Sequence, residues 1–204
     1  TKNTFMVEGW IPESKYSSLH TTLDKKYGDR IHLEKVKYSD EESVPVELKH
    51  PSSVKPFELL LDLFEYPKST EIDPTFAIFI TFPLFYGIML GDIGYGLTIL
   101  LFSSILKMKF KTEGWNMLLG ILQYSSIYTI AFGFLDGEFF GFDIFRLFGI
   151  EEIFGISLPI IDRIVDFMPV LIMSISIGIV HVLLGLTFGF INVLKQHGVK
   201  EAIL

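Results

Sequence analysis

The residue whose setting most asks for chemistry is Asp92. It is the one formal charge in the 33 residues that follow Asp73, and it sits in a glycine cluster, Gly91-Asp92-Ile93-Gly94-Tyr95-Gly96. A carboxylate inside an apolar run is costly and points to function by default. Asp92 could lie on an ion path, or it could cap a helix by accepting N–H bonds from the Gly94 to Gly96 turn. The glycine spacing is superficially that of a nucleotide loop, but it follows no strand and lies in an apolar run, so that reading is set aside. His181 is the one ionisable side chain between Phe167 and Leu194. It shares a stripe with Ser174, Gly178, Gly185, Gly189 and Asn192, at spacings of three and four. Small residues at this period mark close helix–helix packing. His181 then reads as an interhelical hydrogen-bonding group, with a proton relay as the alternative. With no second His, Asp or Glu on that stretch, a metal site is unsupported. Asp136 and Glu138 follow another apolar run, where they could draw cations toward an aqueous cavity or be simply solvated. No triad, phosphate loop or paired-histidine motif is present, so the chain is not expected to be an enzyme by itself, and no cofactor is expected.

The elements that must position these residues are mostly membrane-like. The run from Thr75 to Leu106 would make a helix roughly 48 Å long, against a hydrocarbon core of about 30 Å. Glycines and an acid interrupt it near its middle. Trp115 to Leu135 is 21 residues without a charge, with Trp115 placed as an interfacial anchor. Phe167 to Leu194 gives a further transmembrane helix. Between them, residues 136–166 carry seven acids against two arginines, Arg146 and Arg163. Their phenylalanine- and glycine-rich texture suggests short amphipathic pieces at an interface. The cations lie at 107–111 and 195–200, which the positive-inside rule assigns to the cytoplasm, leaving the acidic connector 136–166 outside. If the first part of the chain is cytoplasmic, 75–106 must leave and return on one side as a broken helical hairpin; the alternative is a single tilted span.

The first 73 residues differ in kind. They hold 24 of the 41 charged residues and three of the 20 phenylalanines. Phe5 to Trp10 and Ile31 to Tyr38 have strand composition, around a helix over 13–27 that Gly28 stops. Such a unit is too small to bury a core alone, so it reads as the end of a larger α/β domain, residues 1–50, cytoplasmic in the hairpin topology. A proline-punctuated linker and an amphipathic helix follow over 51–73. Pro56 opens that helix, with Phe57, Leu60, Leu61 and Phe64 on one face and Glu58, Asp62 and Glu65 opposite. The fold class is therefore mixed: the end of a small α/β domain, then an all-α polytopic membrane domain over 74–204. A net charge of −7 excludes a nucleic-acid partner. Without cysteine there are no disulfides or thiolate metal sites. The chain opens Thr1-Lys2-Asn3 and ends soon after an apolar stretch, which reads as an internal piece of a longer polypeptide.

Several blocks resemble one family. They are EGWIP (Glu8 to Pro12), PVELKHPSSVKPFELL (Pro45 to Leu60) and the long block from Glu71 to Gly96, then DGEFFG (Asp136 to Gly141) and GIVHVLLG (Gly178 to Gly185). Within them Asp73, Pro74, Gly91, Gly94, Gly96, Gly178 and Gly185 are the motif residues. In this order they resemble the membrane stator subunit, subunit I or a, of archaeal and vacuolar type rotary ATPases. His50 departs from the pattern, standing where asparagine is expected before the proline. The resemblance implies a multi-pass subunit with a cytoplasmic N-terminal half bound to peripheral stalk subunits. Its membrane half would lie beside a proteolipid rotor ring and carry H⁺ or Na⁺ through two half-channels. The family's essential arginine lies on a later helix; neither Arg146 nor Arg163 has the matching context, and no catalytic residue carries over. Asp92, His181, Glu138 and Asp136 remain ion-path candidates. A structural scaffold, or a receptor-like membrane protein, is the alternative.

Overall fold

A computed structural model describes residues 5–36, 44–63, 66–150, 152–153, 156–157 and 167–202. It divides into two units, residues 1–48 and 49–204.

The first unit is one helix with its flanks. Helix α1 spans Glu13–Tyr27, with Glu13 in its first turn and Lys25 and Lys26 in its last, each complementing the helix dipole. Gly28, at φ 55°, ends it as the sequence implies. Exposed ion pairs tie α1 to its flanks: Lys15 to Glu47 at 3.0 Å and Lys35 to Glu13 at 3.2 Å. Residues 5–10 and 31–36 are not strands, contrary to expectation; residues 37 and 38, the end of the second expected strand, lie outside the described residues. A strand exists only when another pairs with it, and among the described residues of this unit no ladder forms. Phe5, Met6 and Val7 are left exposed, and α1 buries no residue.

The second unit is organised on a long helix. A 3₁₀ turn, Lys55–Phe57, leads into α2, Glu58–Asp62. Then come α3, Thr75–Leu90, and α4, Ile93–Lys109, separated by Gly91 and Asp92. Helix α5 spans Glu113–Asp136. A hairpin of β1, Glu138–Phe139, and β2, Phe142–Asp143, follows, and α6, Ile144–Phe148, closes it. Strands β3, Glu152–Ile153, and β4, Ile156–Ser157, form a second hairpin. Helix α7 runs over Phe167–His197 and a short α8 over Val199–Ala202. Residues 158–166, the rest of the expected acidic connector, lie outside the described residues.

Among the described residues two helices, α5 and α7, are long and apolar enough to cross a membrane; α3 is apolar but shorter. Helix α5 is the spine. Along α3, Phe79 meets Tyr124 and Gly87 lies on Tyr128. At the break, Asp92 and Ile93 lie on Gly133. Along α4, Gly96 lies on Ile130 and Lys107 reaches Gln123. So α3 follows α5 in the same direction and α4 runs back against it.

Glycines set how near these helices come. A Cβ at Gly133 would stand 2.5 Å from the Asp92 carbonyl carbon, and one at Gly87 would stand 2.7 Å from the Tyr128 Cβ. The core is aromatic where α2 docks. Phe57 is fully buried, with ring centroids 5.3 Å from Phe79 and 5.9 Å from Tyr124. Of the expected amphipathic helix the structure describes α2, Glu58–Asp62, while Phe64 and Glu65 lie outside the described residues. Its Glu58 is buried rather than solvent-facing, because a carboxylate-binding side chain, His50, lies on that side.

Several polar groups on α5 are satisfied within the bundle, while the buried Ser125 hydroxyl finds no hydrogen-bond partner among the described residues. Lys107 Nζ donates to Gln123 Oε1 at 3.0 Å, and Gln123 Nε2 donates to Ser104 Oγ at 3.1 Å. Ser126 and Thr129 are buried, and their hydroxyls turn back to the Gln123 and Ser125 carbonyls of their own helix.

Candidate functional site

The break between α3 and α4 is built from its local residues. Gly91 takes the left-handed conformation at φ 32° and its N–H bonds the Gly87 carbonyl, ending α3. Asp92 is then extended, and its Oδ1 accepts the Tyr95 N–H at 2.8 Å, which caps α4. The capping alternative raised by the sequence is therefore present in the geometry.

A long-range contact completes the site. Asp92 Oδ1 also accepts the Phe140 N–H at 3.0 Å, and Oδ2 accepts the Gly141 N–H at 2.7 Å. These two amides form the tip of the β1–β2 hairpin, whose register pairs Phe139 with Phe142 and Glu138 with Asp143. Both tip residues have positive φ, 48° at Phe140 and 77° at Gly141, as the primed two-residue turns of tight hairpins require. Phenylalanine is strained there. Three contacts hold it: the N–H bond to Asp92, an edge-on Tyr95 ring at 5.2 Å, and the open face of Gly94. A Cβ on Gly94 would collide with the Phe140 ring at 2.6 Å.

Asp92 is 2% exposed and spans three backbone donors from two distant segments. This arrangement fixes the end of a helical break against a lid. The same end of the bundle carries Asp136, the buried last residue of α5, and Glu138, on β1. Structure thus brings three of the four ion-path candidates to one end.

The fourth is elsewhere. His181 sits midway along α7, its ring edge-on to Phe85 at 5.0 Å. The small-residue stripe of α7 meets open space: a Cβ at Gly178, Gly185 or Gly189 would find nothing within 4 Å. The stripe's Asn192 does engage, accepting the Ile72 N–H at 2.9 Å through Oδ1. Beside it, Asp73 Oδ1 accepts both the Thr75 N–H at 2.9 Å and the Thr75 hydroxyl at 2.5 Å, while the Pro74 carbonyl takes the Ile78 N–H. Among the described residues no group of three His, Cys, Asp or Glu side chains could hold a metal ion.

Sequence reasoning missed a second polar cluster. His50 is flanked by two carboxylates, Nδ1 to Glu58 Oε1 at 2.6 Å and Nε2 to Asp73 Oδ2 at 2.9 Å. Its one signal was the departure of His50 from the family pattern. Nearby, Lys55 Nζ pairs with Glu113 Oε1 at 2.7 Å, and that hydrogen bond raises the lysine's pKa.

Comparisons with known proteins place the chain. Residues 1–146 match the V-type ATPase 116 kDa subunit family. The whole chain aligns at 37% identity with the A-type ATP synthase subunit I of Archaeoglobus fulgidus, covering 32% of that protein. It aligns at 30% with that of Halobacterium salinarum and at 31% with that of Thermococcus kodakarensis, covering 33% and 32% of them and 100% of this chain in each case. The chain therefore spans about a third of the length of these relatives.

Proposed function

The chain belongs to the V-type ATPase 116 kDa subunit family, and from that premise we propose that it forms the start of the membrane part of a rotary ATPase stator subunit, with the end of the soluble part before it. The observation that carries this reading is the alignment of the entire chain with A-type ATP synthase subunit I proteins. In this reading the subunit is non-catalytic. It stands beside a rotating proteolipid ring, binds peripheral stalk subunits through its cytoplasmic N-terminal part, and contributes to H⁺ or Na⁺ passage.

The helix directions support a topology. Helices α3 and α4, of 16 and 17 residues, would each be about 25 Å long. They leave and return on the cytoplasmic side, with their break at the far end beneath the β1–β2 lid. Helix α5 then crosses outward, α7 crosses back, and the acidic connector is external. Among the candidates, Asp136 and Glu138 suit an outer ion vestibule. Asp92, committed to three backbone donors, suits the scaffold role. His181 and the unfilled glycine stripe of α7 suit close packing against a further helix.

ATP-driven ion pumping by vesicles containing the complete complex tests the assignment. Glu138→Gln and Asp136→Asn should lower pumping severalfold while the complex still assembles and hydrolyses ATP. Unchanged pumping in both would remove these residues from the ion path and leave the scaffold reading.

A further inference from the structure

His50 joins two parts of the second unit: its opening segment, residues 49–54, which carries it, and Asp73, just ahead of α3. Its two ring nitrogens each face a carboxylate oxygen at hydrogen-bonding distance, Glu58 at 2.6 Å and Asp73 at 2.9 Å. Each contact needs a hydrogen between the heavy atoms, because two facing lone pairs repel. A neutral imidazole has one N–H. Holding both contacts closed therefore takes two protons: an imidazolium between two carboxylates, or a neutral ring with one carboxyl protonated. Removing one proton must open one contact.

We propose that His50 is a proton-dependent strap across the start of the membrane domain, closed on both carboxylates when doubly supplied with protons and released from Asp73 when one proton leaves. The side to open follows from burial. The Glu58 side chain is 12% exposed and that of Asp73 is 34% exposed. A buried carboxylate that loses its partner pays the full desolvation penalty, whereas a part-exposed one is rehydrated. Glu58 keeps the remaining N–H, and Asp73 turns to water.

The surrounding charges do not supply a substitute. Lys55 lies near Glu58 but is engaged with Glu113 from the start of α5. Asp62, also on α2, accepts the Tyr66 hydroxyl. Lys49, next to His50 in sequence, is exposed. Asp73 is the working end of the strap, since its other oxygen holds the Thr75 N–H and hydroxyl at the first turn of α3. Release of Asp73 Oδ2 thus loosens the beginning of that helix. The inference concerns this junction alone and stands whether or not the subunit carries ions.

Amide hydrogen exchange tests it in the full-length subunit within its assembled complex, across a pH series from about 5 to about 8. Rates are corrected for the intrinsic pH dependence of exchange. The peptide containing Thr75 should exchange about tenfold faster at the higher pH, the effect of losing one hydrogen bond between charged groups. In His50→Asn it should exchange fast at both pH values, and in Asp73→Asn the pH response should vanish. A wild-type peptide whose corrected rate is flat with pH overturns the proposal. So does a His50→Asn protein that keeps the wild-type response. If His50→Asn does not assemble, an unaltered response in Asp73→Asn overturns it equally.

Discussion

Asp92 and Gly141 are 49 residues apart in the chain, and the carboxylate of one accepts the backbone N–H of the other at 2.7 Å. That bond, with its neighbour to Phe140, makes one side chain serve both as the cap of α4 and as the seat of the β1–β2 hairpin. Replacing Asp92 with alanine strands three donors at a buried position. A loss of about 3 kcal/mol or more is expected, read as a lowered thermal midpoint of the purified complex. Asp92→Asn should cost less, since an amide oxygen can still accept from Tyr95 and Phe140. Equal midpoints for wild type and Asp92→Ala would show that the lid does not depend on this residue.

Gly133→Ala tests the closeness of the break to the spine. The added Cβ meets backbone atoms of Asp92 and Ile93, which cannot swing aside as a flexible side chain can. Overpacking of this kind costs about 1–3 kcal/mol, so the variant should melt earlier than wild type. Gly178→Ala, where a Cβ finds no neighbour within 4 Å, is the matched control. It should leave the midpoint unchanged in the isolated subunit and lower it only if another helix covers that stripe in the complex.

Tyr66 offers a pH signature outside the bundle. Its hydroxyl donates to the Asp62 carboxylate, and that bond, followed by partial burial, pushes its pKa up to about 12. The usual phenol value is about 10. Because the folded value is the higher one, the contribution to stability is complete below the unfolded value and disappears as pH rises through the folded one. The difference in phenolate absorbance between wild type and Tyr66→Phe should titrate near 12. A midpoint near the ordinary phenol value would mean that the Asp62 contact is absent in solution.

Topology can be read with thiols, since these 204 residues contain no cysteine and any elsewhere in the subunit can be replaced by serine. Single replacements Lys109→Cys, Glu152→Cys and Lys195→Cys in the complete subunit should label from outside at position 152 alone. Labelling at 109 but not at 152 would replace the returning pair α3 and α4 by a single tilted span.

What the sequence made legible was local. The stop of α1 at Gly28, the break at Gly91 and the capping geometry of Asp92 all depend on residues within one helical turn, and each follows from conformational preference. The apolar lengths of α5 and α7 follow from composition. What stayed hidden depended on partners far along the chain. A helical period put Glu58 on the polar face, whereas it lies buried against His50, whose other ring nitrogen faces Asp73. The hairpin tip was concealed because Phe140 takes a conformation for which asparagine or glycine is the usual sign. Phe5 to Trp10 and Ile31 to Val36 have strand composition, but composition supplies no pairing partner, and the described residues contain none for them.

The order of synthesis gives the Asp92 lock a further meaning. During translation at about 5–20 residues per second, the Phe140 amide, 48 positions later, leaves the ribosome some 2–10 s after Asp92 does. Through that interval, of the three backbone donors that Asp92 has in the folded chain, only the Tyr95 N–H has been made. In the membrane topology proposed above, the nascent α3–α4 segment would carry an underpartnered acid into the insertion machinery, and α5 would have to arrive with its hairpin before the acid is covered. Biogenesis of this segment becomes sequential, with its third helix acting as the latch on the first two.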